Sequence, residues 1–179
     1  MGNLGEMCCS NSKTALPLLC LNHVSFVCRS VSRSVRFYEQ VLGFVLIKRP
    51  SSFNFEGAWL FNYGMGIHLL ESESVPPAKK EKINPKDNHI SFQCSDMKQV
   101  VRKLQEMGIE YVTAVLEECR VRVDQLFFHD PDGYMVEICN CQNLPVLPLS
   151  TTTNNDTNCS TLAALMMENL VLDLLDISI

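Results

Sequence analysis

The sequence predicts an α+β fold of two tandem βαβββ modules, curved into a half-barrel around a metal site. An internal repeat, a shared strand alternation and ionisable residues at matching places predict it. NHVSFVC, starting at Asn22, and NHISFQC, starting at Asn88, are identical at five of seven positions, with an offset of 66 residues. Each copy is followed by a helical pattern and three strand-like stretches. The last stretch of each is apolar with one ionisable residue inside it, His68 in the first copy and Glu137 in the second. His23 and His68 are 45 residues apart, His89 and Glu137 48, so one unit occurs twice with small loop differences.

Each element has a local reason. In the second copy His89, Ser91 and Gln93 alternate with Ile90, Phe92 and Cys94, giving a strand with one polar and one apolar face. Ser32 is placed to cap a helix that carries Val35, Tyr38 and Leu42 and stops at Gly43. Ser95 or Asp96 is placed to cap one that carries Met97, Val100, Val101, Leu104 and Met107 and stops at Gly108. Strands follow at 44–48, 58–62 and 66–70, and again at 111–116, 122–129 and 134–139. Module one is therefore 19–71 and module two 87–140, within a domain spanning 19–144. The linker 72–86 has three prolines and mixed charge. Segment 1–18 and the tail 145–179 lack periodicity and read as flexible. At 162–179 the tail reads as an amphipathic helix, and its Glu168, Asp173 and Asp176 argue against a membrane span.

Composition removes several function classes. Acidic residues number 20 and basic ones 15, a net charge of −5, and the run Lys79, Lys80 and Lys82 is interrupted by Glu81, so nucleic acid is excluded as the main partner. The nine cysteines are odd in number and lack framework spacing. With no apolar secretory stretch at the start, they read as reduced thiols of a cytoplasmic protein.

The chemistry sits on the repeat. His23 and His89 occupy the same point of the first strand of each module, and His68 and Glu137 the same point of the last. Of the four histidines in the chain, three fall at these places. A pseudo-twofold pairing of the modules would point all four side chains into one cavity. Imidazole and carboxylate donors suit one divalent cation, Zn²⁺, Ni²⁺, Mn²⁺, Fe²⁺ or Co²⁺, and ligand type does not choose among them. The fourth histidine, His129, precedes Asp130, Pro131, Asp132 and Gly133 and belongs to a hairpin turn entering the last strand.

Four stretches, NHVSF at Asn22, RFYEQVLGF at Arg36, INPKDNHISFQC at Ile83 and FFHDPDGYMVEICN at Phe127, resemble the vicinal oxygen chelate superfamily, and within it the plant glyoxalase-I-like proteins. The resemblance runs from about Leu19 to Leu144. It implies a lyase that converts the hemithioacetal of methylglyoxal and glutathione to lactoylglutathione. His23, His89 and Glu137 match the family's ligand positions, and Glu137 is the implied catalytic base. Three places depart from the family pattern. His68 stands where a second glutamate is usual. Gln40 stands where a basic residue grips the glutathione carboxylate, and LLESES replaces an asparagine-containing stretch. Arg120 and Arg122 are the candidates to replace the missing positive charge as substrate-binding residues. The substrate is a small molecule, with a glutathione adduct as the first choice. Other metalloenzyme readings stay open, namely a metallothiol transferase, an isomerase or a dioxygenase, since two histidines and a glutamate also make the facial triad of Fe(II) oxygenases. A binding protein without turnover is the alternative from another class. The modules close one site within the chain or exchange partners in a homodimer, and the sequence allows both.

Overall fold

The computed structural model describes residues 16–72, 82–118 and 121–144. They form β1 (His23–Cys28), α1 (Val31–Gln40), β2 (Val45–Ile47), β3 (Gly57–Asn62), β4 (Met65–Glu71), β5 (His89–Gln93), α2 (Met97–Glu106), β6 (Tyr111–Glu118), β7 (Val121–His129) and β8 (Met135–Cys139), followed by a 3₁₀ turn at Cys141–Asn143. This is βαβββ twice. The chain divides into two compact units, and the one made of Leu21–Glu117 and Arg122–Asn143 carries both modules. The expectations for segment 1–15, for the linker between 73 and 81, for Arg120, and for the tail 145–179 with its helix lie outside the described residues.

Each module makes one open four-stranded sheet, in the order β1-β4-β3-β2 and β5-β8-β7-β6. First and last strands pair in parallel, with Ser25 opposite His68 in one sheet and Ser91 opposite Glu137 in the other, so His68 and Glu137 are equivalent by register. Alternation then separates the faces. Ala58, Leu60, Ile67 and Leu69 of the first sheet and Leu126, Phe128, Val136 and Ile138 of the second share one core. The apolar stripes of α1 (Val31, Val35, Tyr38) and α2 (Met97, Val100, Leu104) pack into it. The opposite faces carry His23, Trp59 and His68, and His89, Phe127 and Glu137. Leu60, Ile67 and Leu126 are fully buried, so truncating any one to alanine costs about 2–5 kcal/mol.

The start of α1 differs from expectation. Its N-cap is Ser30, not Ser32, and Ser30 makes no side-chain capping bond. Instead Glu71 at the end of β4 accepts from the Val31 amide at 2.9 Å, so a strand carboxylate satisfies a free helix donor. Asp96 caps α2 as one of the two candidates foreseen, accepting from the Gln99 amide at 2.9 Å. Gly43 and Gly108 follow the two helices with φ of +72° and +65°, the left-handed conformation of a helix stop.

The turn 130–133 ties the modules together. Asp130 Oδ1 accepts from the amides of Asp132 (2.9 Å) and Tyr134 (2.8 Å), which shapes the turn. Its Oδ2 accepts from the Tyr38 hydroxyl of α1 at 3.0 Å. Asp132 accepts from the Ser34 hydroxyl at 3.0 Å and the Arg29 amide at 3.1 Å, and Tyr134 donates to the Val27 carbonyl at 3.0 Å. Burial raises the Asp130 carboxyl above its ordinary value despite these donors. His129 ends β7, buried and opposite Met135, beside this turn.

Candidate metal and substrate site

The four sequence-predicted ligands form two pairs, one on each sheet. On the second sheet His89 Nε2 lies 3.1 Å from Glu137 Oε2. The other ring nitrogen, Nδ1, is 2.7 Å from the Asp87 carbonyl, which can only accept, so that nitrogen carries a proton and donates. In the neutral ring Nε2 is then a bare lone pair facing a carboxylate oxygen. Two acceptors at that distance require a proton or a cation between or beside them. Gln125 fixes the carboxylate from β7, donating from Nε2 to Glu137 Oε1 at 2.6 Å. Glu137 itself is only 4% exposed.

On the first sheet His23 and His68 stack with ring centroids 3.9 Å apart and an interplanar angle of 18°. Trp59, opposite His68 in the register of β3 and β4, covers that ring at 4.2 Å and 3°. Burial, and then the neighbouring His23, lower the pKa of His68, which favours the neutral, ligand-competent ring. His23 Nδ1 is 2.8 Å from Asn22 Oδ1, the same kind of outer contact that His89 has. Gly66 leaves the space these rings need, since a Cβ there would come within 3.1 Å of His23 Cβ and 3.6 Å of His68 Nε2.

The donor set therefore fits a borderline divalent cation in type and tautomer. Among the described residues, however, no three of the four groups bring ligand atoms within 4.8 Å of one another. Each sheet turns one face to the shared core, and the two ligand pairs lie on the opposite faces, the second of which holds the small cluster of Ile83, Phe127 and Met135.

The expected substrate contacts are placed differently. Gln40 is exposed at the end of α1, a helix that packs on the face of the first sheet opposite His23 and His68. Arg122 is 61% exposed and bonds Asp124 at 3.0 Å; by alternation it lies across the second sheet from Gln125 and Glu137. Arg120 is not described. A cation that sequence reasoning missed lies on the ligand face. Arg49 follows β2, and its guanidinium rests 3.6 Å from where a Gly57 Cβ would stand. It covers the rings of Phe53 and Phe55 at 4.7 and 4.5 Å, and donates to the Phe55 carbonyl at 2.9 Å. Phe53 in turn touches Trp59, with centroids 5.9 Å apart. No described carboxylate pairs with Arg49. The available signal was a lone arginine two residues past a strand, followed by two aromatics.

A cavity of about 480 Å³ lies on the core side, lined by Val41, Leu42, Met65, Phe92, Leu104 and Phe128 among others. None of the four expected ligands lines it.

Residues 20–138 match the model of the Glyoxalase/Bleomycin resistance protein/Dioxygenase superfamily. The chain is 64% identical over 137 residues to "Glyoxylase I 4" of Arabidopsis thaliana, covering 75% of this chain and 78% of that protein. It is 28% identical over 127 residues to the metallothiol transferase FosB of Bacillus licheniformis, covering 68% and 75%. Among solved structures, a glyoxalase family protein from Bacillus anthracis superposes with a TM-score of 0.57 at 20% identity, covering 70% of this chain and 97% of that one, a likeness of fold.

Proposed function

From membership of this chain in the Glyoxalase/Bleomycin resistance protein/Dioxygenase superfamily, we propose a metal-dependent glyoxalase-I-like lyase that isomerises the methylglyoxal–glutathione hemithioacetal to lactoylglutathione. The observation that carries the reading is the His89–Glu137 pair, with Nε2 and Oε2 3.1 Å apart and the other ring nitrogen turned to the Asp87 carbonyl, so that the imidazole and the carboxylate face one point. The 64% identity to "Glyoxylase I 4" supports the choice of reaction.

In this reading His23, His89 and Glu137 hold the cation and His68 is the fourth candidate ligand. The cation, when bound, supplies Lewis-acid stabilisation of developing oxyanion charge. Glu137 takes the proton from C1; the C1–H electron pair becomes a C1–C2 double bond, and the former ketone oxygen takes the charge. Glu137 then returns the proton to C2, while the C1 hydroxyl passes its proton to the charged C2 oxygen, so that C1 becomes the thioester carbonyl and C2 carries the hydroxyl. Atoms and electrons are conserved, so no further co-reactant enters. Gln125 holds the carboxylate in place, and Arg49 meets a carboxylate of the glutathionyl arm. Because the ligand-bearing faces flank the shared core, we infer that the site closes between two copies. His23 and His68 of one chain would face His89 and Glu137 of the other. Reduced cysteines favour a cytoplasmic setting, and no helix among the described residues is long and apolar enough to cross a membrane.

The test loads apoprotein with Ni²⁺, Zn²⁺, Mn²⁺, Fe²⁺ or Co²⁺ in turn and follows thioester formation from methylglyoxal and glutathione. Turnover with at least one metal, lost in Glu137→Gln, supports the lyase. Activity undiminished in that variant removes the proposed base. The 28% identity to a metallothiol transferase favours a second reading, thiol transfer to a small electrophile at the same site. Consumption of thiol with an electrophile but no thioester from methylglyoxal would select it.

A further inference from the structure

We propose a second cation site, selective for thiophilic metals, built from Glu137, Cys139 and Cys141. Glu137 and Cys139 are two residues apart on β8 and point to the same face, both buried. The chain then folds into the 3₁₀ turn, which brings Cys141 back over Cys139, its amide 3.4 Å from Cys139 Sγ. Gln142 pins that turn by donating to the Cys94 carbonyl at 3.2 Å. One ligand atom from each of Glu137, Cys139 and Cys141 lies within 4.8 Å of the other two, the one such triad of His, Cys, Asp or Glu among the described residues. Both cysteines are free, and Cys141, half-buried, gives the group its opening to solvent.

Two sulfurs and one carboxylate oxygen favour Zn²⁺ or Cd²⁺ over harder cations such as Mn²⁺ or Mg²⁺. Binding forms two metal–sulfur bonds and one metal–oxygen bond, and both thiol protons pass to solvent. Glu137 belongs to this triad and also to the His89 pair, so a cation on the sulfurs engages the carboxylate assigned to catalysis. The site therefore acts as an inhibitory soft-metal trap. That inhibitory consequence rests on the lyase reading; the site itself does not.

The probe is Cd²⁺, titrated into full-length protein while the sulfur-to-cadmium charge-transfer absorption is recorded. One tight equivalent with two-thiolate intensity is expected. It should be lost in Cys141→Ser, whose partly exposed position tolerates the change, and kept in Cys94→Ser and in the double variant Cys8→Ser/Cys9→Ser. Glu137→Gln should weaken it by roughly tenfold or more through loss of one ligand. An unchanged band in Cys141→Ser, with folding verified by circular dichroism, overturns the site; unchanged affinity in Glu137→Gln removes the carboxylate from it. Lyase assays run in parallel keep the two questions apart. If the protein turns out not to be a lyase, the absorbance still decides the site; if it is, Cd²⁺ should inhibit the wild type and spare Cys141→Ser.

Discussion

A buried carboxylate with each oxygen already engaged has little freedom, and that sets what Glu137 can contribute. Gln125 holds Oε1 at 2.6 Å and His89 faces Oε2 at 3.1 Å, so the side chain is aimed before any substrate arrives. Such preorganisation makes the proton-transfer role specific to the carboxylate. Glu137→Gln should lower kcat by about 10²–10⁴, with the unfolding midpoint in urea close to that of the wild type because shape and the Gln125 contact survive. Arg49 calls for a different signature. Its guanidinium is stacked on two rings and lacks a described acidic partner, so its charge is available to a substrate carboxylate. Removing one charge-assisted contact of about 1.5–3 kcal/mol predicts that Arg49→Met raises KM for the hemithioacetal by roughly tenfold or more, with kcat little changed. A kcat loss at constant KM would place Arg49 elsewhere in the reaction.

At the scale of elements, the turn between β7 and β8 owes its residue pattern to joining rather than to chemistry. Asp130 and Asp132 collect donors from the turn itself, from α1 and from the residue after β1, so the second module's hairpin is bolted to the first module's helix. Tyr38→Phe leaves Asp130 Oδ2 without its donor and should cost about 1–3 kcal/mol in urea unfolding. The raised Asp130 pKa gives a pH signature. The unfolded chain has the ordinary value of 3.8, and burial raises the folded one. Between the two values the folded state holds more protons, so stability falls as pH rises through that window and levels off above it. Asp130→Asn keeps Oδ1 for the two amides and turns its NH₂ toward the Tyr38 oxygen, so it should flatten this slope without unfolding the protein. An identical pH dependence of unfolding in the variant would assign the slope to other groups. Local patterns exposed much of this scale: alternation of His89, Ser91 and Gln93 fixed the faces of β5, and the repeat made His68 equivalent to Glu137, which the registers bear out. What stayed hidden needed distant partners. Ser32 looked like a cap because Glu71, 40 residues from Val31, carries no local sign of reaching that amide. Gln40 has the position and Arg122 the residue type of a substrate contact, but only packing shows which side of a sheet they occupy.

For the whole molecule, the decisive fact is which faces the two sheets share. Both put Leu, Ile, Val and Phe into one core and leave His23 with His68 on the opposite face of the first sheet and His89 with Glu137 on the opposite face of the second, where Phe127 and Met135 join Ile83 in a small cluster. A cation that needs donors from both faces is served when two copies pair about a twofold axis, each lending module one to the other's module two. This arrangement makes a prediction that an intrachain site cannot imitate. His23→Ala and Glu137→Gln should each be inactive as purified. Unfolded together and refolded as a mixture, half the dimers are heterodimers, and in each of these one site combines both lesions while the other has none. Activity should return to about one quarter of the wild-type value, with the protein eluting at dimer mass in light scattering. If the mixture stays dead while each variant is folded and dimeric, both half-sites come from the same chain, and the separation of the two pairs must close by movement within one molecule.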